Sequence, residues 1–300
     1  MTAVLLSETA LPGLPSASGV ELVGPTAYVI ADDAPFLYAL DAATLAPTGR
    51  VQLFETTAVV GGRWPKATKP DLEALTACAW PGRGVGLLLL GSGSGPQRRR
   101  GCWVPLLPTP GFALAQQPQP LDLTALYAAA QAALPAGAPL NIEAAAATST
   151  ELLLLQRGVG AGAAAAVLRL PLAAALAHLA GQGPPPRPVA QAFQLPLIGG
   201  SPAGFSGATF AGGRLWVAAS VENTADPVLD GEVLGSFVGV IDLAAGTAEF
   251  ARLAWADGRA YRGKVEGLAL RPRQPGAPQE LLLVTDDDRG GSTALVATVA

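Results

Sequence analysis

Three glutamates occupy matching places in segments that resemble one another along this 300-residue chain. Glu73, Glu143 and Glu266 each lie near the start of a segment that leads into a turn and then an apolar run. Carboxylates can bind a cation or transfer protons, and their pKa values respond to burial and to nearby charge. The recurrence makes these glutamates candidates for one shared site.

The segments that carry the glutamates belong to a longer repeat. Copies begin near residues 19, 71, 141, 205 and 264, and a period of roughly fifty to seventy residues indicates β-propeller blades with long loops. The apolar run of each copy ends in polar residues, among them Asp32, Arg157, Glu222 and Asp286. In a propeller, the starts of inner strands and the ends of the next strands meet at one mouth of the central channel. We therefore expect these polar side chains to converge.

The repeat predicts an all-β fold in a single domain over residues 1–300. We predict a five-bladed propeller, with six blades as the alternative. The last copy contains only three predicted strands, whereas residues 4–9 form a strand without a partner. We expect this N-terminal strand to complete the last blade, because closing the ring removes exposed sheet edges. Alanine-rich segments at 124–134 and 173–180 predict short helical inserts.

Composition argues against several functional classes. The net charge is -4, from 19 basic and 23 acidic residues, so we expect no nucleic-acid partner. The chain shows neither a secretory signal nor an apolar run of membrane-spanning length, so we expect no membrane partner and a cytoplasmic location. The single histidine, His178, disfavours a Ser-His-Asp triad and a multi-histidine zinc site. Cys78 and Cys102 fit free buried thiols.

Two interpretations of the converging charges are open. Calcium takes six to eight oxygen ligands from carboxylates, amide carbonyls and water. The predicted calcium ligands are Asp32, Glu73, Asn141, Glu143, Glu266 and Asp286. Alternatively, the glutamates form a buried salt network with Lys69, Arg157 and Lys264, as channel-lining charges can.

The predicted partner of this site is a small anionic molecule. The basic residues expected to bind it are Arg98, Arg99, Arg157, Lys69 and Lys264. Glu143 or Glu266 is the predicted catalytic base, and calcium would polarise a substrate oxygen. The site would then be that of a hydrolase for a small anionic ester, phosphate or lactone. The alternatives are a non-catalytic module that binds a ligand or peptide, and a scaffold; the sequence does not specify an oligomeric state.

Four sequence elements resemble those of a bacterial propeller family whose activity is not established. They have the patterns R-x-P-K-x-x-K-P-D-L-E-A-L, G-S-G-S-x-P-x-R-R-R-G, N-I-E-G and K-V-E-G, and here they occupy residues 63–75, 91–101, 141–144 and 264–267. Ala144 replaces a usual glycine. A Ser-Gly-Ala triplet at 206–208 replaces a Thr-Asp-Ala type, which removes one carboxylate.

More distantly, the repeat is similar to esterase-like propellers grouped with bacterial phytases, and to gluconolactonase-like and strictosidine-synthase-like propellers. Several of those proteins bind calcium in the channel. This second resemblance implies the propeller fold far more strongly than it implies a function.

Overall fold

The computed structural model describes the chain apart from residues 55–58, 60–61, 108–116, 159–163, 224–230, 274–275 and 288–289. Leucine, valine and alanine runs bounded by glycine, proline or aspartate form strands, as such boundaries favour. The first strands in chain order are β1 (Ala3–Ala10), β2 (Ala17–Val23), β3 (Thr26–Ala31), β4 (Phe36–Asp41), β5 (Pro47–Gln52), β6 (Leu72–Trp80), β7 (Gly84–Gly91), β8 (Arg100–Pro105) and β9 (Gln119–Asp122). A short 3-10 turn, Pro96–Arg98, precedes β8.

The rest of the chain alternates two helices with further strands. These elements are α1 (Thr124–Ala132), β10 (Ile142–Ala147), β11 (Glu151–Gln156), β12 (Ala166–Pro171), α2 (Leu172–Leu179), β13 (Val189–Ala192), β14 (Leu197–Ile198), β15 (Ser201–Pro202), β16 (Gly204–Ala211), β17 (Arg214–Asn223), β18 (Glu232–Asp242), β19 (Thr247–Trp255), β20 (Lys264–Leu270), β21 (Gln279–Asp286) and β22 (Ser292–Val299). Both predicted helical inserts are confirmed: α1 lies within 124–134, and α2 begins one residue before 173–180.

Antiparallel sheets of consecutive strands make up the architecture. Strands β2 to β5, β6 to β9 and β10 to β13 form three four-stranded sheets, and β14 pairs with β15 in a small hairpin. The remaining sheet has eight strands in the order β16, β17, β18, β19, β1, β22, β21, β20. Within it β19 and β1 run parallel, while β1 and β22 are antiparallel.

The innermost strands close a ring. Strand β2 contacts β6, β6 contacts β10, β10 contacts β16, β16 contacts β20, and β20 contacts β2. Sheets that extend outward from a closed ring of inner strands form a β-propeller, so the all-β propeller prediction is confirmed. The N-terminal strand also lies where it was expected, beside β22, and its two pairings cover edges that would otherwise be free to pair with another chain.

Small residues fill the centre of the ring. A Cβ atom on Gly267 would lie 2.8 Å from the backbone nitrogen of Val20 and 2.9 Å from Cα of Gly19. A Cβ on Gly207 would lie 3.0 Å from Cα of Gly267. The cavity left between the inner strands has a volume of only about 10 Å³, which is at the lower limit for one water molecule. The inner strands therefore close the channel instead of leaving it open from face to face.

Apolar side chains fill the spaces between neighbouring sheets. The largest cluster joins β6 to β9 with β10 to β12, and both helices pack onto it through residues such as Leu126, Tyr127 and Leu176. Cys78 and Cys102 are free and buried, which confirms that prediction. Among the described residues, neither helix has the length and apolar character needed to cross a bilayer.

Candidate functional site

A β-bulge at the start of each inner strand positions the recurring residues. The pairing register between each inner strand and its neighbour shifts around Ser18, Glu73, Glu143, Ser206 and Glu266. A bulge inserts one extra residue and changes the direction of its side chain. The three glutamates thus leave the alternation of their strands, and their side chains line the same mouth of the ring.

A polar cavity of about 380 Å³ occupies this mouth. It is lined by both acidic and basic side chains, including all three bulge glutamates, and its base is the ring of small residues described above. The acids that line it are Asp32, Asp33, Asp71, Glu73, Glu143, Glu266 and Asp286, and the bases are Arg63, Lys66, Lys69, Arg98, Arg157 and Lys264. The convergence expected from the repeat is therefore observed.

Five residues form a continuous chain of ion pairs, which we call the Arg157 cluster, and four of them (Glu143, Arg157, Lys264 and Glu266) line one side of the mouth. Arg157 lies 3.1 Å from a carboxylate oxygen of Glu143 and 3.0 Å from one of Glu222. Lys264 lies 2.8 Å from both Glu222 and Glu266. Negative and positive groups alternate along this chain, so every carboxylate in the cluster contacts a cation directly.

The opposite side contains a second group of five residues, Asp32, Lys69, Asp71, Glu73 and Arg98, which we call the Lys69 cluster. The ammonium group of Lys69 contacts Asp32 and lies 2.7 Å from an oxygen of Asp71. Arg98 lies 2.9 Å from the other oxygen of Asp71 and 2.9 Å from the hydroxyl of Ser94. Glu73 forms no hydrogen bond or ion pair within the described part of the chain. One carboxyl of this cluster is therefore left outside the pairing.

Burial controls the protonation of both clusters. Burial raises the pKa of Glu266 to about 8, although Lys264 opposes the shift. Burial and the nearby Asp71 and Glu143 carboxylates raise the pKa of Glu73 well above its usual value, with Lys69 again opposing. Burial alone would lower the pKa of Lys69, but Asp32 and Asp71 raise it above its ordinary range. Glu266 can therefore exchange a proton near neutral pH.

The Lys69 cluster offers donors of the type that calcium prefers. One carboxylate oxygen each from Asp32, Asp71 and Glu73 lies within 4.8 Å of the others. Oxygen Oδ1 of Asp32 is buried and accepts no hydrogen bond from the described residues. Calcium binds hard oxygen ligands at about 2.3–2.6 Å, so the spacing and donor type fit one divalent cation. Lys69 already supplies one positive charge to the same carboxylates.

The predicted calcium ligands do not gather in one place. Asp32 and Glu73 belong to the Lys69 cluster, whereas Glu143 and Glu266 are paired with Arg157 and Lys264. The side chain of Asn141 donates to Glu143 at 2.6 Å, while Asp286 lines another part of the mouth. The predicted set is thus divided between two clusters, and the salt network considered as its alternative is present in one of them.

The predicted anion-binding residues do not all line the mouth. Arg98, Arg157, Lys69 and Lys264 line the mouth, but Arg99 is not among its lining residues. The Arg99 carbonyl instead accepts the backbone N–H of Leu123. The 3-10 turn at Pro96–Arg98 separates the directions of neighbouring side chains, so of these two predicted arginines only Arg98 reaches the cavity.

Two residues of the clusters were not among the predicted ligands or catalytic groups. Asp71 is buried with a φ of 56°, and it accepts the hydroxyl of Ser92 at 2.5 Å. Glu222 links Arg157 to Lys264. Asp71 lies two residues before Glu73 in the repeat, as Asn141 lies before Glu143 and Lys264 before Glu266. This shared spacing in the sequence could have predicted Asp71 as a residue of the site.

Solved structures with this fold have low sequence identity to the chain. The crystal structure of Myxococcus xanthus glutaminyl cyclase matches with a TM-score of 0.52 and 12% identity, covering 100% of this chain and 98% of that one. The β-propeller domain of Myceliophteria thermophila Cps50 (Swd1) matches with a TM-score of 0.42 and 12% identity over 96% and 99%. At 12% identity the likeness to the glutaminyl cyclase shows the fold alone.

Sequence comparison assigns the chain to a family. No curated protein matches it in sequence. Residues 13–299 match the family of unknown function DUF6929. This match covers nearly the whole chain, including all five bulges and both ion-pair clusters, and the chain therefore belongs to the DUF6929 family.

Proposed function

We propose that the mouth is the site of a hydrolase that acts on a small anionic ester, phosphate or lactone. One observation carries the proposal. Glu266 lines a polar cavity of about 380 Å³, and its pKa is raised to about 8. A carboxyl with such a pKa is available as a neutral acid at pH 7, and general acid catalysis is most effective when the pKa is near the operating pH.

The substrate anion binds against Arg98. Arg98 contacts Asp71 and Ser94 through the same atom, Nη1. An arginine side chain has five N–H donors in a planar fork, and Nη2 and Nε of Arg98 have no partner among the described residues, so we assign them to a carboxylate or phosphate. Lys69, Arg157 and Lys264 are each held by two carboxylates. These three act through the electrostatic potential of the mouth more than through direct contact.

Two carboxyls divide the proton transfers. Glu143, which accepts hydrogen bonds from Asn141 and Arg157, takes a proton from the attacking water as its oxygen bonds to the ester carbonyl carbon. Glu266 donates its proton to the leaving oxygen as the carbon–oxygen bond breaks. Proton exchange with solvent then returns Glu143 and Glu266 to their starting protonation states. The two carboxyls act as a base and an acid because their surroundings differ.

A divalent cation such as calcium would be held by Asp32, Asp71 and Glu73 of the Lys69 cluster. When bound there, it would supply Lewis-acid polarisation of a substrate oxygen. The three carboxylates would orient it, and Lys69 would adjust its contacts with Asp32 and Asp71. This assignment differs from the predicted ligand set, because Glu143 and Glu266 keep their roles in proton transfer.

A five-bladed architecture underlies this site. The eight-stranded sheet counts as two blades, β16 to β19 and β20 to β22 with β1, joined through the parallel pairing of β1 with β19. The cycle of five inner strands supports this count over six. Two buried free thiols suit a reducing compartment such as the cytoplasm, where we place the protein.

Recognition without catalysis is the second candidate. It is favoured by the Arg157 cluster, in which every carboxylate contacts a cation directly. A fully paired network rigidifies a binding surface without taking part in a reaction. In that case the mouth would bind a small anion and release it unchanged.

A panel of p-nitrophenyl esters and phosphates tests the proposal. We expect Glu266→Gln to reduce kcat/KM by about 10²- to 10⁴-fold, the usual contribution of one acid–base group. Glu143→Gln should show a comparable loss. Glu151→Gln is the matched control, because Glu151 pairs with Arg169 on β11 and β12 away from the mouth. Equal activity in all four proteins would remove both glutamates from catalysis, and saturable phosphate binding without turnover would favour recognition.

A further inference from the structure

An apolar groove runs along the outer flank of the β2 to β5 sheet. It has a volume of about 270 Å³ and is lined by Leu11, Leu14, Tyr38, Leu40 and Leu45, all no more than 9% exposed. Its floor is thus the core between this sheet and the strands β20 to β22. This volume is close to that of the smallest ligand pockets in proteins, about 300 Å³.

An unpaired arginine lies at the lip of the groove. The guanidinium of Arg50 lies 4.4 Å above the centre of the Phe36 ring. Arg50 is exposed, and it forms no ion pair with any carboxylate in the described ranges. Burial raises the pKa of Tyr38, and the charge of Arg50 opposes that rise, which indicates that the guanidinium lies close to the phenol on the groove wall.

A second cavity lies between the groove and the mouth. This cavity, of about 480 Å³, shares Leu11, Leu14, Tyr38 and Arg50 with the groove and reaches Arg63. Arg63 also lines the mouth, and it donates to Asp33 at 2.6 Å. The apolar flank and the charged site are therefore neighbours, with Arg50 lining the groove and Arg63 lying between the second cavity and the mouth.

We propose that the groove binds the apolar acyl or aryl chain of an amphipathic anion whose head group lies at the mouth. The proposal rests on the function proposed above and names its substrate class. A chain in the groove covers apolar surface of the Leu11 to Leu14 segment and of Leu40 and Leu45. Arg50 and Arg63 attract the anion electrostatically as its apolar acyl or aryl chain enters the groove. The short, fully polar substrates of the general proposal would use the mouth alone.

Chain-length dependence tests the groove. Isothermal titration measures the affinity for linear carboxylates from butyrate to decanoate. We expect the affinity to rise by about three- to fourfold per methylene until the groove is filled. Hydrolysis of p-nitrophenyl acyl esters from acetate to decanoate is measured in parallel, and kcat/KM should rise with the same slope.

Two exposed positions allow the groove to be altered without disturbing the core. Pro47→Glu and Arg50→Glu place carboxylates on its wall, and each should weaken decanoate binding at least tenfold and flatten the chain-length slope. Arg259→Glu is the control, since Arg259 is also exposed and stacks on an aromatic ring, that of Trp255, in another sheet. It should bind decanoate as the wild type does.

The two proposals fail in different ways. A flat affinity series in the wild type, or equal weakening in Arg50→Glu and Arg259→Glu, would overturn the groove. Chain-dependent carboxylate binding that Arg50→Glu abolishes, with no ester hydrolysed, would overturn the hydrolase and support the groove as the chain-binding part of a recognition site.

Discussion

The two clusters of the mouth carry the same formal charges but pair them differently. Each has three carboxylates and two cations. In the Arg157 cluster the five groups alternate along one chain, and both terminal positions are carboxylates. In the Lys69 cluster the chain ends at Arg98, and Glu73 lies outside it. The order of charges, more than their number, decides which cluster is complete and which can accept a further cation.

The comparison assigns different roles to the two sides. We expect the Arg157 cluster to stabilise the fold as a unit, and under the proposed function its outer member Glu266 also transfers a proton. The Lys69 cluster has one acidic group more than its contacts satisfy, which is the condition for binding a positive ion. Variants that remove one group from each cluster distinguish these roles.

Removal of the central arginine should have the largest effect. Arg157→Met would leave Glu143 without a cation and Glu222 with Lys264 only. We expect the free energy of unfolding at pH 7 to fall by about 3–5 kcal/mol, the usual loss when one partner of a buried ion pair is removed. Urea unfolding, with the slope m compared between proteins, measures the change.

Arg169→Met is the matched control for that loss. Arg169 pairs with Glu151 at 3.0 Å, but both side chains are about a third exposed, at 33% and 29%. Solvent screens such pairs, so the expected loss is at most about 1 kcal/mol. Similar losses in the two variants would show that the Arg157 cluster behaves like a surface pair.

The raised pKa of Glu266 predicts that the free energy of unfolding depends on pH. Its folded-state pKa of about 8 lies above 4.5, the ordinary pKa of a glutamate in the unfolded chain. Its contribution to stability is therefore complete below about pH 4.5 and is lost as the pH rises through about 8. Glu266→Gln should flatten the decline in this window by a few kcal/mol at most, since one pKa unit corresponds to about 1.4 kcal/mol.

Urea unfolding from pH 4.5 to 9 measures this dependence. Glu280→Gln serves as the control, because Glu280 pairs with Arg271 on the exposed side of β21. A decline that persists unchanged in Glu266→Gln would show that burial does not raise the pKa of this carboxyl.

Calcium should bind through the Lys69 cluster. A ligand present at a hundred times its dissociation constant stabilises the folded protein by about 2.7 kcal/mol, and the melting temperature should rise accordingly. Chelator should reverse the rise, and Glu73→Gln should abolish it. In Glu266→Gln the rise should persist. A response to calcium that is lost in Glu266→Gln but kept in Glu73→Gln would place the ion in the other cluster.

The smallest expected effect is also the sharpest comparison of the two clusters. Glu73 and Glu143 occupy equivalent bulges, yet without metal their replacements should change stability in opposite directions. Glu73→Gln should raise the free energy of unfolding at pH 7 by about 1 kcal/mol, because it removes a half-buried carboxyl that has no ion-pair partner among the described residues. Glu143→Gln should lower it, because Arg157 loses one of two carboxylates. Urea unfolding of the two variants in the presence of a chelator measures both changes in the free energy of unfolding. Changes of the same sign would contradict the ion pairing of the two clusters.

Much of the architecture was predictable because the repeat is local. Alternating apolar runs and turn residues specify strands, and their recurrence specified a propeller and the convergence of Glu73, Glu143 and Glu266. The missing strand of the last repeat predicted the pairing of β1 with β22. The short hairpin of β14 and β15 and the closure of the channel by Gly19, Gly207 and Gly267 were not predicted, since both depend on how separate repeats approach one another.

The pairing of charges was not predictable from the repeat. Lys264 is two residues from Glu266 but also contacts Glu222, which comes from another part of the chain. Arg98 and Arg99 are neighbours in sequence, yet of the two only Arg98 lines the mouth. Contacts of this kind depend on distances of a few ångströms between blades, and a shift of one residue at a bulge changes them.

The sequence by itself determined the strands, their repetition and the identity of the residues at the mouth, because hydrophobic alternation and turn chemistry act over a few neighbouring residues. The tertiary structure alone decided which carboxylate is left unpaired, which arginine enters the cavity and where an apolar groove meets the charged site. Those features depend on Coulomb interactions and packing between segments far apart in the chain, whose geometry exists only after the ring has closed.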